Sequence, residues 1–254
     1  MTSDTLSLLG DLVAKANAAG ADDADAVSVC GESLSIDWRG GKLEQIDRSE
    51  GADIGLRVLI GQQQAGASTS DPSPKALAAL VERVVAMAKV APEDPTAGLA
   101  DPSQLASEWP ELDLEDSAEP SVEDIQARAA AAEDAMLAVA GVSLNSEGAG
   151  AAWGRSSLSV VASNGVSASY RRTGSNITAV ALAGEGTGME RDYYMHRAVH
   201  AADLEAAADI GRLAGERTVQ ALGARKIKSQ QVPIIFDRRV SAGLVGHMAG
   251  SING

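Results

Sequence analysis

At 254 residues the chain can hold one large domain or two modest ones, and a hydrophobic fraction of 45% is enough for a real core. A net charge of −14 and an isoelectric point near 4.6 argue against a nucleic-acid backbone or an anionic lipid surface as a partner. One cysteine, Cys30, rules out an intrachain disulfide, and no stretch approaches the roughly 18 apolar residues of a membrane span. The N-terminus has no basic segment followed by an apolar run, so a cytoplasmic setting is expected. Aromatics are scarce, with Phe236 the single phenylalanine, and much of the apolar content is alanine. A core of close helix and sheet approaches is expected, with few large side chains.

Residues 4–19 read as an amphipathic helix with Leu6, Leu9, Leu12, Val13 and Ala16 on one face and Gly20 as its stop. Ala26 to Trp38 alternates in part, with a break near Gly31, and Gly40-Gly41 turns it into a returning strand over 43–48. Ile54, Leu56, Val58 and Ile60 then share one face of a third strand, and 61–64 forms a hairpin turn into 65–69. These segments predict a mostly antiparallel sheet. A helix follows over 74–90, with Ser73 as N-cap, Pro74 at its first position, and Leu77, Leu80, Val81, Val84 and Val85 as its buried stripe.

Residues 91–120 hold five of the eight prolines and a run of acids, the composition of an extended crossing segment. An alanine-rich helix is expected over 121–140, capped by Ser121, with Glu123 and Asp124 suiting its dipole and Gly141 closing it. Strands over 156–163 and 166–171 flank Asn164-Gly165, the strongest hairpin signal in the chain, and 177–183 reads as another strand. Gly184-Glu-Gly-Thr-Gly-Met-Glu190 is a glycine-rich loop without the spacing of a phosphate loop or a dinucleotide fingerprint. It is either a flexible connection or backbone that a bound peptide approaches closely. A helix over 203–222 ends at Gly223, and an apolar strand, Val232 to Phe236, runs into Asp237 and a small-residue helix that carries His247.

Few residue patterns carry chemistry. His196 and His200 are spaced as a metal pair if their segment is helical, but a third ligand would have to come from Glu190 or Asp203. In a strand the same spacing covers roughly 13 Å and breaks the pair. No Gly-x-Ser-x-Gly nucleophile elbow occurs, and Cys30 carries no sign of activation.

Several segments together resemble the TldD/PmbA (TldE) family. They are Lys42-Leu-Glu-Gln-Ile, Gly55-Leu-Arg-Val-Leu-Ile-Gly61, Ala67-Ser-Thr-Ser-Asp71 before a helix, Asn145-Ser-Glu-Gly148, Ala183-Gly-Glu-Gly186, Arg191-Asp-Tyr193 and the final strand and helix. The resemblance implies an α+β fold. An N-terminal, mostly antiparallel sheet with helices would occupy 1–98 and an acidic, proline-rich linker 99–120. A second α/β region with hairpins would occupy 121–228, and 229–254 would begin a C-terminal β-rich domain. Family members are longer, so the expectation is a fragment or a truncated protein.

In TldD-type subunits the last helix carries His-Glu-x-x-x-His, which binds zinc and supplies the general base. With His247 as the last histidine, Ala242 and Gly243 stand at the other two positions. Alanine cannot ligate zinc, and glycine cannot take a proton from a metal-bound water. The resemblance therefore implies a non-catalytic, PmbA/TldE-type subunit with no metal of its own. It would pair with a zinc-bearing TldD-like partner and act on unfolded or extended peptides, as in leader-peptide maturation or antitoxin turnover. His247, Gly184, Gly186, Gly188, Asp192 and Tyr193 would line the chamber. Two other readings remain open: an independent zinc hydrolase using His196 and His200, and a peptide-binding scaffold without a protease partner.

Overall fold

The computed structural model describes residues 2–106 and 108–252. Its elements are α1 (Thr2–Ala18), β1 (Asp23–Arg39), β2 (Lys42–Ile60), β3 (Gln63–Thr69), α2 (Pro74–Ala88), α3 (Val122–Leu137), β4 (Gly148–Ala162), β5 (Ser167–Ala183), β6 (Glu190–Ala198), α4 (Ala207–Ala221) and α5 (Arg238–Ser251). They divide into two units, Met1–Leu222 and Gly223–Gly254.

The first unit is organised by one six-stranded antiparallel sheet of order β3-β2-β1-β4-β5-β6. β1 pairs with β2 on one side and with β4 on the other, matching Ile36 to Ala151 and Leu34 to Trp153. The regions read from sequence as two separate α/β parts, 1–98 and 121–228, thus share a single ladder. The strands are also longer than their apolar patterns suggest. The segments 43–48 and 53–60 are one 19-residue strand, β2, and 177–183 and all but the first residue of 166–171 lie in one 17-residue strand, β5.

Burial follows a period of two. Ala24, Ala26, Leu34 and Ile36 of β1 are buried on the same face, because the register runs unbroken until Asp37. Helices cover this face at both ends. α1 and α2 pack Leu9, Leu12, Leu77, Leu80 and Val84 on Ala24, Ala26, Leu56 and Val58. α3 and α4 pack Ile125, Ala129, Ala132, Met136, Ile210 and Ala214 on Ile36, Ala151, Ile177, Ala179 and Ala181. α4 approaches α3 so closely that a Cβ at Gly211 would fall inside the contact shell of the Ala132 carbonyl oxygen, and one at Gly215 would lie 3.0 Å from the Met136 carbonyl oxygen.

The predicted caps form. The Ser73 hydroxyl accepts from Ala76 N–H at the start of α2, and Ser121 with Asp124 makes a reciprocal capping box on α3. The Gly40-Gly41 turn has positive φ at both residues, 61° and 72°. Both of its N–H groups donate to the Glu133 carboxylate of α3, at 2.7 and 2.8 Å. Glu133 is 1% exposed, so this buried charge is held by backbone donors and ties the β1–β2 turn to α3.

Among the described residues, the acidic crossing segment carries no α-helix and no named strand, only a 3₁₀ turn at Pro102–Gln104. The Asn164 amide donates to Ala100 O at 2.9 Å. Further on, Leu114 O accepts from Thr173 N–H at 2.9 Å, so the segment takes up the edge of β5 where β6 has ended.

In the second unit, 223–237 carries no regular secondary structure, and α5 follows with the Asp237 side chain accepting from Arg239 N–H. The strand expected over Val232 to Phe236 does not form. A strand exists by pairing, and that segment has no ladder partner.

Candidate functional site

The face of the sheet opposite α1–α4 is where side chains are left available. Its central floor is small: Ser33 and Ser35 of β1, Gly150, Ala152 and Gly154 of β4, and Gly174 of β5. Two adjoining hollows, about 570 Å³ and about 410 Å³, lie on this floor and share Ala152 and Asn176 in their walls.

The ends of this trough differ in charge. At one end Arg197 of β6 folds over Gly174, with its guanidinium Nη2 3.5 Å from where a Cβ would stand, and Arg172 of β5 lines the same hollow. At the other end the Asp37 carboxylate lies over Gly150, 2.9 Å from its Cβ position. Among the described residues none of these three charges has an ion-pair partner. Other charges on the same face are paired, as with Asp25 and Arg57 at 2.6 Å and Glu147 and Arg191 at 2.7 Å.

The residues singled out from sequence are spread over several places. Tyr193 of β6 shares its strand face with Met195 and Arg197 and lies on the open side, while Asp192 takes the alternate, helix-covered face, where Thr218 Oγ1 donates to its carbonyl at 3.4 Å. Gly184, Gly186 and Gly188 form the β5–β6 connection, a single 3₁₀ turn. Gly184 has φ +79°, and a Cβ there would come within 2.6 Å of Gly188 O and 2.9 Å of the Leu222 side chain. That glycine is therefore required by the loop's own closure. His247 lies on α5 in the second unit, with Ala242 five and Gly243 four residues before it on the same helix.

His196 belongs to β6 and His200 to the turn after it, so the two are not neighbours on a helix. Each ring has its own partners. His196 Nδ1 accepts from Glu205 N–H at 3.2 Å, and its Nε2 lies 4.0 Å from the Glu205 carboxylate, which in turn accepts from Tyr194 Oη at 3.2 Å. His200 Nε2 lies 3.2 Å from Asp113 O and 3.3 Å from its carboxylate, fastening the crossing segment. That backbone contact, with the nearby Asp113, Asp116 and Asp203 charges, raises the pKa of His200 above its ordinary value. The Asp116 carboxyl is held below its usual range by the N–H groups of Ala118 and Ala201.

Among the described residues no three His, Cys, Asp or Glu side chains form a group that could hold a metal ion. The arrangement is a floor of small residues on the open face of the sheet, with charged side chains at either end. Sequence reading passed over Arg172, Arg197 and Asp37. Their only signal is that they stand on the open face of their strands, which becomes visible once the register is known. No helix among the described residues is long and apolar enough to cross a membrane.

Comparisons with known proteins cover most of the chain. Residues 24–88 match the model for PmbA/TldA metallopeptidase domain 1, and residues 115–222 match that for the PmbA/TldA metallopeptidase central domain. The metalloprotease PmbA of Escherichia coli O157:H7 is 32% identical over 93% of this chain and 53% of its own length. A PmbA homolog of Haemophilus influenzae is 29% identical over 87% of this chain and 49% of its own. The chain thus spans about half the length of the curated relatives it matches. Solved structures give the same fold. A candidate modulator of DNA gyrase from Bacteroides thetaiotaomicron superposes with a TM-score of 0.87 at 22% identity, over 99% of this chain and 58% of that one. TldE from Thermococcus kodakarensis superposes at 0.67 and 14% identity, over 84% and 46%. With both domain models matched in order, the chain belongs to the PmbA/TldD metallopeptidase family.

Proposed function

We propose that this chain is the peptide-handling part of a PmbA/TldE-type subunit, which carries no zinc and assembles with a zinc-bearing TldD-like subunit. The observation that carries the reading is the donor set on α5. Ala242 and Gly243 stand where the zinc helix of the family has histidine and glutamate, and His247 alone remains. One imidazole does not hold zinc. The residues present therefore do not fit the metal, and no step of peptide hydrolysis is assigned to them.

The open face supports a binding role. It offers a floor of glycine, alanine and serine between opposite charges, so an extended peptide can approach the backbone without meeting large side chains. The alternative of an independent zinc hydrolase at His196 and His200 finds no support in the geometry, because each ring is already engaged by its own acidic partner.

The test is association. This chain is mixed with a TldD-like subunit bearing His-Glu-x-x-x-His, and the mass of the mixture is measured by analytical ultracentrifugation. A stable complex, with peptide cleavage abolished by changing the partner's glutamate, is the expected result. A chain that binds peptide but never the TldD-like subunit would instead make it a free-standing scaffold.

A further inference from the structure

Unpaired charges around a small-residue floor are not what a solvated surface needs, and Asp53 of β2, in the lining of the hollow that holds Arg172 and Arg197, is one more besides Asp37. Arg172 stands two residues before Gly174 on the same face of β5, and Arg197 of β6 folds its guanidinium over Gly174; both line the same hollow, and among the described residues neither has an ion-pair partner. Like charges in one hollow repel, and they do so here in a chain with 35 acidic residues from which a partner could have been drawn. Two unpaired guanidiniums lining one hollow, one of them over a glycine, suit a carboxylate. At the far end, Asp37 lies over Gly150 in the same manner, an acceptor left for a cation.

The separation of these ends sets a length. Gly150 is paired with Thr178, and Gly174 lies four residues earlier on β5. Four strand residues cover roughly 14 Å. An extended peptide of about four or five residues has its terminal amine and carboxylate at about that separation. The floor between is Ser35, Ala152 and Asn176, flat enough for either face of such a peptide.

We propose that the trough on the open face of the sheet holds a short peptide by its two charged ends, with its carboxylate on Arg172 and Arg197 and its ammonium group on Asp37. This rests on the peptide-handling reading above for the class of ligand, and adds to it a length and a polarity. A peptide lying this way runs along the strands, its C-terminus beside β6 and the crossing segment.

The experiment is titration of this chain with pentaalanine carrying free ends, an amidated C-terminus or an acetylated N-terminus, followed by calorimetry. Free-ended peptide should bind, amidation should weaken it about tenfold or more, and acetylation should weaken it several-fold. Arg197→Gln should remove the preference for the free acid while leaving that for the free amine, and Asp37→Asn should do the reverse. Lys75→Gln makes the same change of charge on α2 and should alter neither. All three positions are at the surface of a sheet or helix, and an unchanged thermal midpoint will show that the variants fold. Equal binding of the free acid and the amide overturns the proposal. So does equal binding by an amidated peptide that ends in glutamate, since the two guanidiniums would then be reading a side chain. Absence of binding by any free-ended peptide of three to six residues at about 1 mM also overturns it. The association with a TldD-like subunit is measured separately, so that reading can stand when this one fails.

Discussion

The two ends of the sheet are covered by helix pairs built on different principles. Under α1 and α2 the core is made of leucine and valine side chains: Leu9, Leu12, Leu77, Leu80, Val81 and Val84 fill the space between helix and sheet. Under α3 and α4 half of the core residues are alanine, and the helices meet through Gly211 and Gly215, almost backbone to backbone. A volume-filled core is broken by taking atoms away. A core of close approaches is broken by adding them. The second end also buries a charge, Glu133, where the first end buries none among the described residues.

The largest expected effect is at the first end. Leu80→Ala should cost about 4 kcal/mol, since Leu80 is 1% exposed and its loss leaves a cavity between α2 and the sheet. The enlarging change Gly211→Ala tests the second end and should cost about 3 kcal/mol, because the new methyl meets the Ala132 carbonyl and the helices must separate. Chemical denaturation of both variants checks the pair. If Gly211→Ala is tolerated without loss while Ala214→Gly is costly, the contrast between the ends is wrong.

A smaller effect, about 2 kcal/mol, is expected for Glu133→Ala, which leaves the N–H groups of Gly40 and Gly41 without their acceptor. Faster amide exchange at Gly40 and Gly41 in that variant would show that the loss begins at the β1–β2 turn. An unchanged exchange pattern would mean that water replaces the carboxylate at little cost.

The smallest effect is a pH response at the second end. Because the pKa of His200 is raised in the folded state, its protonated form is favoured there. The resulting stabilisation is fully present below the ordinary histidine value of 6.5 and is lost as pH rises through the raised one. Exchange of the 113–116 backbone should therefore quicken over that interval, beyond the general base-catalysed trend, and His200→Gln should remove the excess. Persistence of the excess in His200→Gln would assign it to another group.

The same contrast explains what could be read from sequence. α2 and α3 announce themselves through Ser73-Pro74 and Ser121 with Asp124, because caps and apolar stripes are local. Both long strands β2 and β5 were broken in the reading at 49–52 and 172–176, where apolar alternation fades. Those residues lie outside the two apolar clusters, and the two of them that are buried, Thr173 and Ser175, are polar. The ladder with β1 and β4 carries the strands through. Pairing of β1 with β4, the partners of Glu133 and the grouping of Arg172, Arg197 and Asp37 all depend on contacts distant in sequence, and no local pattern encodes them. The histidine spacing at 196 and 200 left two outcomes open, a pair in a helix and no pair in a strand. A helical spacing carries information only inside a helix, and β6 is a strand.

The central functional claim is that the helix around His247 has lost the means to hold zinc. Elemental analysis of the chain purified without added metal tests it most directly. The account predicts far less than one zinc per chain, unchanged in His196→Ala and His247→Ala. One tightly held zinc per chain, lost on either substitution, would contradict it and place a metal centre where the donor set argues there is none.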